Sequence, residues 1–412
     1  MAEQQGTRLG VGMVGYAFMG AAHSQAWRVA PHFFDLPLDP QMAVVAGRKP
    51  AGVEAAARKL GWAQTETDWR KLLVRDDVDL IDICTPGDTH AEIAVAALEA
   101  GKHVLCEKPL ANTVAEAEAM TAAAERAAAS GVRAMVGFTY RRVPAIALAR
   151  ELVAQGRIGT VRHVRAQYLQ DWIADEQAPL SWRLDKQRAG SGALGDIGAH
   201  VVDLAQHITG ERITGVSGVL ETFVRERPVA DGFSGLHGTA GSARGPVTVD
   251  DAALFTARLD GGGLATFEAT RFAWGRKNAI RLEINGSRGS LAFDFEDMNV
   301  LHLFDAEEDP QTAGFRRIVV TEPGHPYVGA WWPAGHGLGY EHAFVHQVVD
   351  LVGALAAGRQ PEPSFADGLQ VQRVLAAVER SAAQASTWTP VEDVPEKASE
   401  STPESTPENG AR

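Results

Sequence analysis

Cysteine is scarce: only Cys84 and Cys106 occur in 412 residues, too few for a disulfide framework or a four-cysteine zinc site. No apolar run approaches the ~18 residues that cross a bilayer, and the polar opening MAEQQGTRLG lacks the basic-then-apolar order of a secretory signal. A cytoplasmic location is expected. Positive charge is also in deficit, with 39 Lys plus Arg against 52 Asp plus Glu and a formal net charge of -13. That balance speaks against nucleic acid or an anionic membrane as partner and for a small-molecule substrate. What is present is ordinary: 45% hydrophobic and 22% charged residues exclude a fibrous, collagenous or wholly disordered chain. One core of this length would be oversized, so two domains are expected.

The chain divides by pattern into an α/β unit over 1–138, a second unit over 139–388 and a tail over 389–412. In the first, apolar runs at 9–14, 42–46, 80–84, 103–106 and 132–137 alternate with helical stretches, the signature of a parallel sheet built from βαβ units. Thr113 with Glu116 forms a capping box that starts one of these helices, and Gly131 stops it. From residue 161 the runs become strand-like, at 161–168, 253–258, 264–270, 280–284 and 290–295. Turn signals at Asp260-Gly261-Gly262-Gly263 and Asn285-Gly286 predict antiparallel pairing of neighbours, hence a mostly antiparallel second sheet. Helices are expected over 340–355 and 367–383, packed on that sheet or on the first domain. The tail repeats STPE and holds 6 acidic against 2 basic side chains, which predicts disorder.

The strand at 9–14 leads into Gly15-Tyr16-Ala17-Phe18-Met19-Gly20 and a helix, the context a dinucleotide fingerprint requires. Gly15 permits the tight turn, and Gly20 lets helix and strand pack closely. Backbone N–H groups at the helix start then face the pyrophosphate. Ala17 departs from the middle glycine and narrows the approach. After the second strand, Ala46-Gly47-Arg48-Lys49 offers two cations and no acid. A guanidinium grips a 2′-phosphate in bidentate fashion, so between NAD and NADP the charges favour NADP. Arg48 stacked on adenine or simply solvated remains open, and the long connection over 31–40 blurs the alignment.

Four segments, Gly15 to His23, Thr85-Pro86-Gly87-Asp88-Thr89-His90, Gly101 through Glu107-Lys108-Pro109, and Gly192 through Asp196 to His200, occur in one order. Together they resemble the Gfo/Idh/MocA oxidoreductase family over nearly the whole chain except the tail, and within it Tyr168 to Trp172, Leu180 to Arg183 and Gly190 to Ile197 look most like the levoglucosan dehydrogenase branch. The resemblance implies a Rossmann dinucleotide-binding domain, an α/β domain with a large open sheet, a bound nicotinamide cofactor and a homo-oligomer, dimer or tetramer. It implies cofactor contacts from Gly15, Ala17, Phe18, Met19, Gly20 and Arg48. Thr85, Pro86, His90, Glu107 and Lys108 complete that set. It also implies that Tyr140 and Arg141 open the second domain beside the substrate, with Gln170, Trp172 and Arg183 lining a sugar site. A cis bond before Pro109 is implied too. Ala199 and Gly47 stand where that branch has Thr and an acid.

The chemistry is legible in the residues as well. Oxidising a secondary alcohol needs a hydride acceptor, which a nicotinamide supplies, and a base for the hydroxyl proton. Lys108 follows a strand at the sheet edge where parallel α/β folds bind ligands, and its ammonium suits developing alkoxide charge. Asp196 and His200, four apart, share a helix face. His200 is the base by its pKa range, with Asp196 on an adjacent hydroxyl. Asp203 and His207 continue the face, which is either one polar stripe or a metal-binding stripe; the polar stripe is favoured, so no metal is expected. Cys84 and Cys106 suit small core positions. For Trp172 and Trp182, core packing competes with a sugar face, and the stretch from Trp331 to Tyr340 either covers the cleft or meets another subunit. The function expected is NAD(P)-dependent oxidation of a ring hydroxyl to a ketone, in a sugar, levoglucosan-like anhydro-sugar or cyclic polyol. The rivals are an inositol dehydrogenase or 3-keto-glycoside-forming enzyme, and a non-catalytic dinucleotide-sensing regulator.

Overall fold

Leu9–Val14 is apolar throughout and Leu80–Ile83 is buried at every residue, Asp82 included, so both belong in strands covered on both faces. The computed structural model, which describes residues 7–234 and 237–392, places them at the centre of a six-stranded parallel sheet of order β3-β2-β1-β4-β5-β6. Its strands are β1 (Thr7–Val14), β2 (Leu38–Ala46), β3 (Gln64–Glu66), β4 (Leu80–Ile83), β5 (His103–Cys106) and β6 (Ala134–Val136). Helices α1 (Phe18–Phe33), α2 (Pro50–Leu60), one-turn α3 (Arg70–Leu73), α4 (His90–Glu99) and α5 (Val114–Ala128) connect them. The capping box of α5 is present: Thr113 Oγ1 accepts from the Glu116 N–H at 3.2 Å, and Glu116 Oε2 accepts from the Thr113 N–H at 3.0 Å.

The connection at 31–40 is shorter than expected. α1 runs on through Pro31, because buried Trp27 and Ala30 hold its last turns and outweigh the one hydrogen bond that the proline removes. β2 also includes Pro40. β3 joins β2 only at Val44–Ala46, so the missing N–H of Pro40 deprives no neighbour on that side.

After α6 (Pro144–Ala154) comes β7 (Val161–Leu169), the middle of a nine-stranded sheet ordered β16-β15-β14-β13-β7-β12-β11-β8-β17. One-turn α7 (Lys186–Ala189) and α8 (Ala199–Thr209) lie between β7 and β8 (Ile213–Glu221). A separate hairpin of β9 (Glu226–Ser234) and β10 (His237–Pro246) follows. β11 (Ala252–Leu259) and β12 (Leu264–Thr270) pair antiparallel across the Asp260 to Gly263 turn, as do β13 (Ala279–Gly286) and β14 (Gly289–Asp294) beyond Asn285. β12 lies parallel to β7, so the sheet is mixed, although its other pairings are antiparallel. β15 (Val300–Asp305) and β16 (Arg316–Val319) finish one edge. β11 alternates buried and exposed residues, since α8 and α10 cover one face of the sheet and no helix among the described residues covers the other.

Two late helices tie the halves together. α9 (Tyr340–Ala356) lies along α1, while α10 (Phe365–Ala383) packs on both β8 and α5. The expected tail is ordered at its start: β17 (Thr389–Pro390) pairs with β8, and Val391 is buried with its N–H on Thr214 O. One apolar residue beside an open sheet edge is enough to hold those positions; the remainder of the tail lies outside the described residues. No described helix is long and apolar enough to cross a membrane.

Candidate active site

Every strand of a parallel sheet ends at the same side, and here those ends gather the glycine turn and the Glu-Lys-Pro segment. Gly15 follows β1 with φ +99°, a conformation that favours glycine, and its N–H bonds Ala46 O at 3.0 Å. A Cβ on Gly20 would sit 2.3 Å from Gly15 O, so helix and turn touch only because it is absent. Ala17 caps α1 without any side-chain hydrogen bond, which leaves the first-turn N–H groups directed at a cleft of about 960 Å³ lined by Ala17, Phe18 and Met19. This cradle, with its free donors and a favourable helix end, fits a dinucleotide pyrophosphate.

Thr85 and Pro86, just past β4, line the same cleft. His90 lines it as well, yet its two ring nitrogens face Pro109 O at 3.0 Å and Thr85 O at 2.9 Å. It clamps the Thr85 loop to the segment after Lys108. The Lys108–Pro109 bond is cis. Arg48 is exposed beyond β2 and lies outside the cleft lining.

Beneath this surface lies a charged cluster that sequence reasoning missed. His23, on α1 and 1% exposed, bonds Asp82 through Nδ1 at 2.9 Å and Glu107 through Nε2 at 3.0 Å. Trp27 Nε1 donates to Asp82 at 2.7 Å, and Glu107 Oε2 accepts the Lys108 N–H at 3.2 Å. Burial by itself would strip the His23 proton, but the charge and hydrogen bond of Asp82, with Cys84 beside it, together outweigh burial and hold the pKa well above 6.5. Glu107 does line the cleft, with part of its carboxylate committed inward. His23, Asp82 and Cys84 form the one group of three or more among the described residues whose ligand-type atoms all lie within 4.8 Å of one another. Both imidazole nitrogens are already spent on carboxylates. Cys84 and Cys106 are buried and unpaired as thiols.

Across the cleft, Asp196 lies in a single π-helical turn, Leu194–Gly198, that runs into α8 carrying His200. The expected regular helix face is therefore widened, a local irregularity common at functional sites. The turn is held from outside: Asp250 accepts from the Gly192 N–H at 2.7 Å and the Leu194 N–H at 2.8 Å. A Cβ at Gly192 would fall 1.7 Å from Asp250 O, so glycine is required there. Lys108 Nζ donates to the backbone oxygen of Asp196 at 2.5 Å and lies 3.5 Å from its carboxylate. Arg271, fully buried, reaches the other carboxylate oxygen at 3.5 Å. Burial would raise the Asp196 pKa, but Lys108, Arg271 and Arg183 more than reverse this and hold it at about 2.

His200 has a different setting. Its ring sits among Tyr140, Tyr168 and Phe138, with centroids 4.6, 5.8 and 6.1 Å away. Burial, then the charge of Lys108, drive its pKa well below 6.5, so the imidazole is neutral. The cleft wall continues as a hydrogen-bonded chain. Tyr140 Oη meets Tyr168 Oη at 3.0 Å, and Tyr168 Oη and Gln170 Nε2 both donate to Asn278, at 2.7 and 2.8 Å. Trp172 Nε1 donates to Gln170 at 3.1 Å. Trp172 is 39% exposed beside Arg271, and Arg183 stacks on Trp182 at 4.6 Å, so neither tryptophan is core.

Arg141 is not in this wall. Its guanidinium pairs with the Asp203 carboxylate at 2.8 and 2.5 Å, away from the cleft lining, because α8 turns Asp203 toward the turn that carries Arg141. Asp203 and His207 thus do not extend the site. Trp331 and Trp332 pack on Phe33 at the end of α1, and only Tyr340 of that stretch reaches the cleft. Arg271, Asp250 and Asn278 carried no sequence signal, since each acts through partners tens of residues away.

With this geometry in hand, comparisons place the chain among known proteins. Residues 9–138 match an oxidoreductase family with an NAD-binding Rossmann fold, and residues 146–292 match the GFO/IDH/MocA C-terminal domain. Levoglucosan dehydrogenase of Pseudarthrobacter phenanthrenivorans is 43% identical over 94% of this chain and 98% of its own length. An oxidoreductase domain protein from Kribbella flavida has a crystal structure similar at TM-score 0.89, with 73% identity over 93% of this chain and 99% of that one. Levoglucosan dehydrogenase in complex with NADH and levoglucosan superposes at TM-score 0.88, with 41% identity over 94% of this chain and 100% of that one.

Proposed function

The chain belongs to the Gfo/Idh/MocA family of oxidoreductases, and from that premise we propose that it oxidises a secondary ring hydroxyl of a levoglucosan-like anhydro-sugar to the ketone. The observation that carries the reading is the meeting of Lys108, Asp196 and His200 at one cleft, the first contributed by the parallel sheet and the other two by the π turn and α8. A bound nicotinamide supplies the hydride acceptor. Lys108 Nζ donates to the reacting oxygen and stabilises its growing negative charge. Neutral His200 takes the hydroxyl proton, a task an imidazolium would be unable to perform. Ionised Asp196 accepts from a neighbouring hydroxyl and holds Lys108 in line. Gln170, Trp172 and Arg183, with Tyr140, bind and orient the ring.

The cofactor contacts of the glycine turn, Thr85, Pro86 and Glu107 belong to the same proposal, as does the domain division at 138. Arg48 and Lys49 are exposed cations at the end of β2 with no acid in Ala46-Gly47-Arg48-Lys49, which favours NADP over NAD. The outer face of the second sheet exposes Val219 and Leu254 at a concavity of about 730 Å³, and Leu264 is exposed as well, which supports a homo-oligomer; a cytoplasmic location is part of the same proposal. The test is an absorbance screen at the reduced-nicotinamide band with levoglucosan, glucose, glucosides and inositols against both cofactors. Reduction with levoglucosan is expected; no reduction by any sugar overturns the proposal.

A further inference from the structure

Two glycines beside the nucleotide cradle have no backbone reason to be glycine. Gly47 follows β2 and Gly52 lies in the first turn of α2, and neither adopts a positive φ. Glycine in a helix costs about 1 kcal/mol relative to alanine, so its place there calls for a packing cause. The cause is the same for both. A Cβ on Gly47 would lie 2.0 Å from Tyr16 Cε1, and a Cβ on Gly52 would lie 2.5 Å from the Tyr16 hydroxyl. Tyr16 leaves the glycine turn between them, lines the cleft and packs against the apolar cluster that holds Val45, Val53 and Ala57.

The end of β2 is where dinucleotide folds place a carboxylate to grip the adenosine ribose hydroxyls. Here the ring fills the volume such a side chain would need. Glu66, at the end of the adjacent β3, is bonded to Lys71 at 3.0 Å. The next residues, Arg48 and Lys49, are exposed cations. We infer that Tyr16 is a specificity-determining residue of the cofactor site: by occupying the slot between Gly47 and Gly52 it excludes a ribose-gripping acid and leaves the 2′ position to Arg48. This rests on the dinucleotide reading above but not on the sugar, and it makes positions 16 and 47 interdependent.

The test is direct binding of NADH and NADPH to the full chain, followed by tryptophan fluorescence, with no sugar present. The parent binds NADPH at least on the order of 10-fold more tightly than NADH. Gly47→Asp alone gains no NADH affinity, because the new carboxylate meets the ring. Tyr16→Ala with Gly47→Asp opens the slot, tightens NADH on the order of 10-fold and weakens NADPH, the scale of one charge-assisted hydrogen-bonded contact. Melting temperatures establish that each variant is folded, and Tyr16→Ala alone reports any loss from removing the ring. The inference is overturned if Gly47→Asp gains NADH affinity as fully as the double variant, or if the double variant keeps the parent's NADH to NADPH ratio. A parent that binds neither dinucleotide overturns the nucleotide reading itself, a result distinct from both.

Discussion

His23 and His200 are both buried imidazoles close to the Glu107-Lys108 segment, yet only His23 carries a charge. His23 lies between two carboxylates and keeps its proton; His200 lies among three aromatic rings with Lys108 nearby and loses it. The residue type sets only the range in which a histidine titrates. Its neighbours decide whether it clamps the strand ends, as His23 does, or stays neutral and able to act as the base proposed for His200. Lys108 links the two, its N–H on Glu107 and its ammonium on Asp196.

Breaking the charged side of this contrast has the largest expected effect. Asp82→Asn leaves a buried imidazolium with one anionic partner fewer, and His23→Ala leaves two buried carboxylates facing each other. Each is expected to cost about 3–5 kcal/mol of stability, the range for breaking a buried ion pair. Denaturant unfolding measures it, and a loss under ~1 kcal/mol for both, typical of exposed pairs, would show the cluster to be surface-like. Next comes the neutral side. His200→Ala or Lys108→Ala is expected to lower kcat by a factor of about 100 or more, roughly 2.7 kcal/mol in the barrier, while dinucleotide affinity is kept. Turnover unchanged in both variants removes their assigned roles.

The smallest effect is a pH dependence whose sign differs between the two histidines. The folded pKa of His200 lies below the unfolded value near 6.5, so between those values the unfolded chain binds the extra proton and stability rises with pH. His23 has a raised folded pKa; its contribution is complete below about 6.5 and is lost as pH climbs through the folded value. Comparing unfolding free energies of the parent and His200→Asn from pH 5 to 8, the variant is expected to lose the His200 slope, at most about 1.4 kcal/mol per pH unit. Equal slopes on the acid side would mean that His200 is solvated rather than enclosed.

The clamp and the base also differ in how far they could be read from the chain. Asp196 and His200 announce themselves through a short spacing, and Lys108 through its position past a strand. His23 is no less central, but its partners are 59 and 84 residues away, and no local pattern connects them. Arg141 shows the reverse error. It sits beside Tyr140, which does line the cleft, and consecutive residues of a turn point in different directions, so the guanidinium went to Asp203. The capping box at Thr113 and the hairpin turn at 260–263 were legible because each is made by residues close in sequence; the β13–β14 hairpin was legible too, although its turn falls at 287–288, just past the expected Asn285-Gly286, which stays in β13. Pro31 misled because a proline usually ends a helix, whereas buried neighbours here keep it going.

By itself the sequence determined the two kinds of sheet, the glycine turn and the chemical types gathered at the site, because periodicity, turn residues and short spacings express local forces. Only the tertiary structure decided which carboxylates meet His23, how Arg271 and Lys108 keep Asp196 ionised, that His200 stays neutral, and that Tyr16 closes the slot between two glycines. Those outcomes depend on desolvation and on charges brought together from distant segments, and neither exists until the chain has folded.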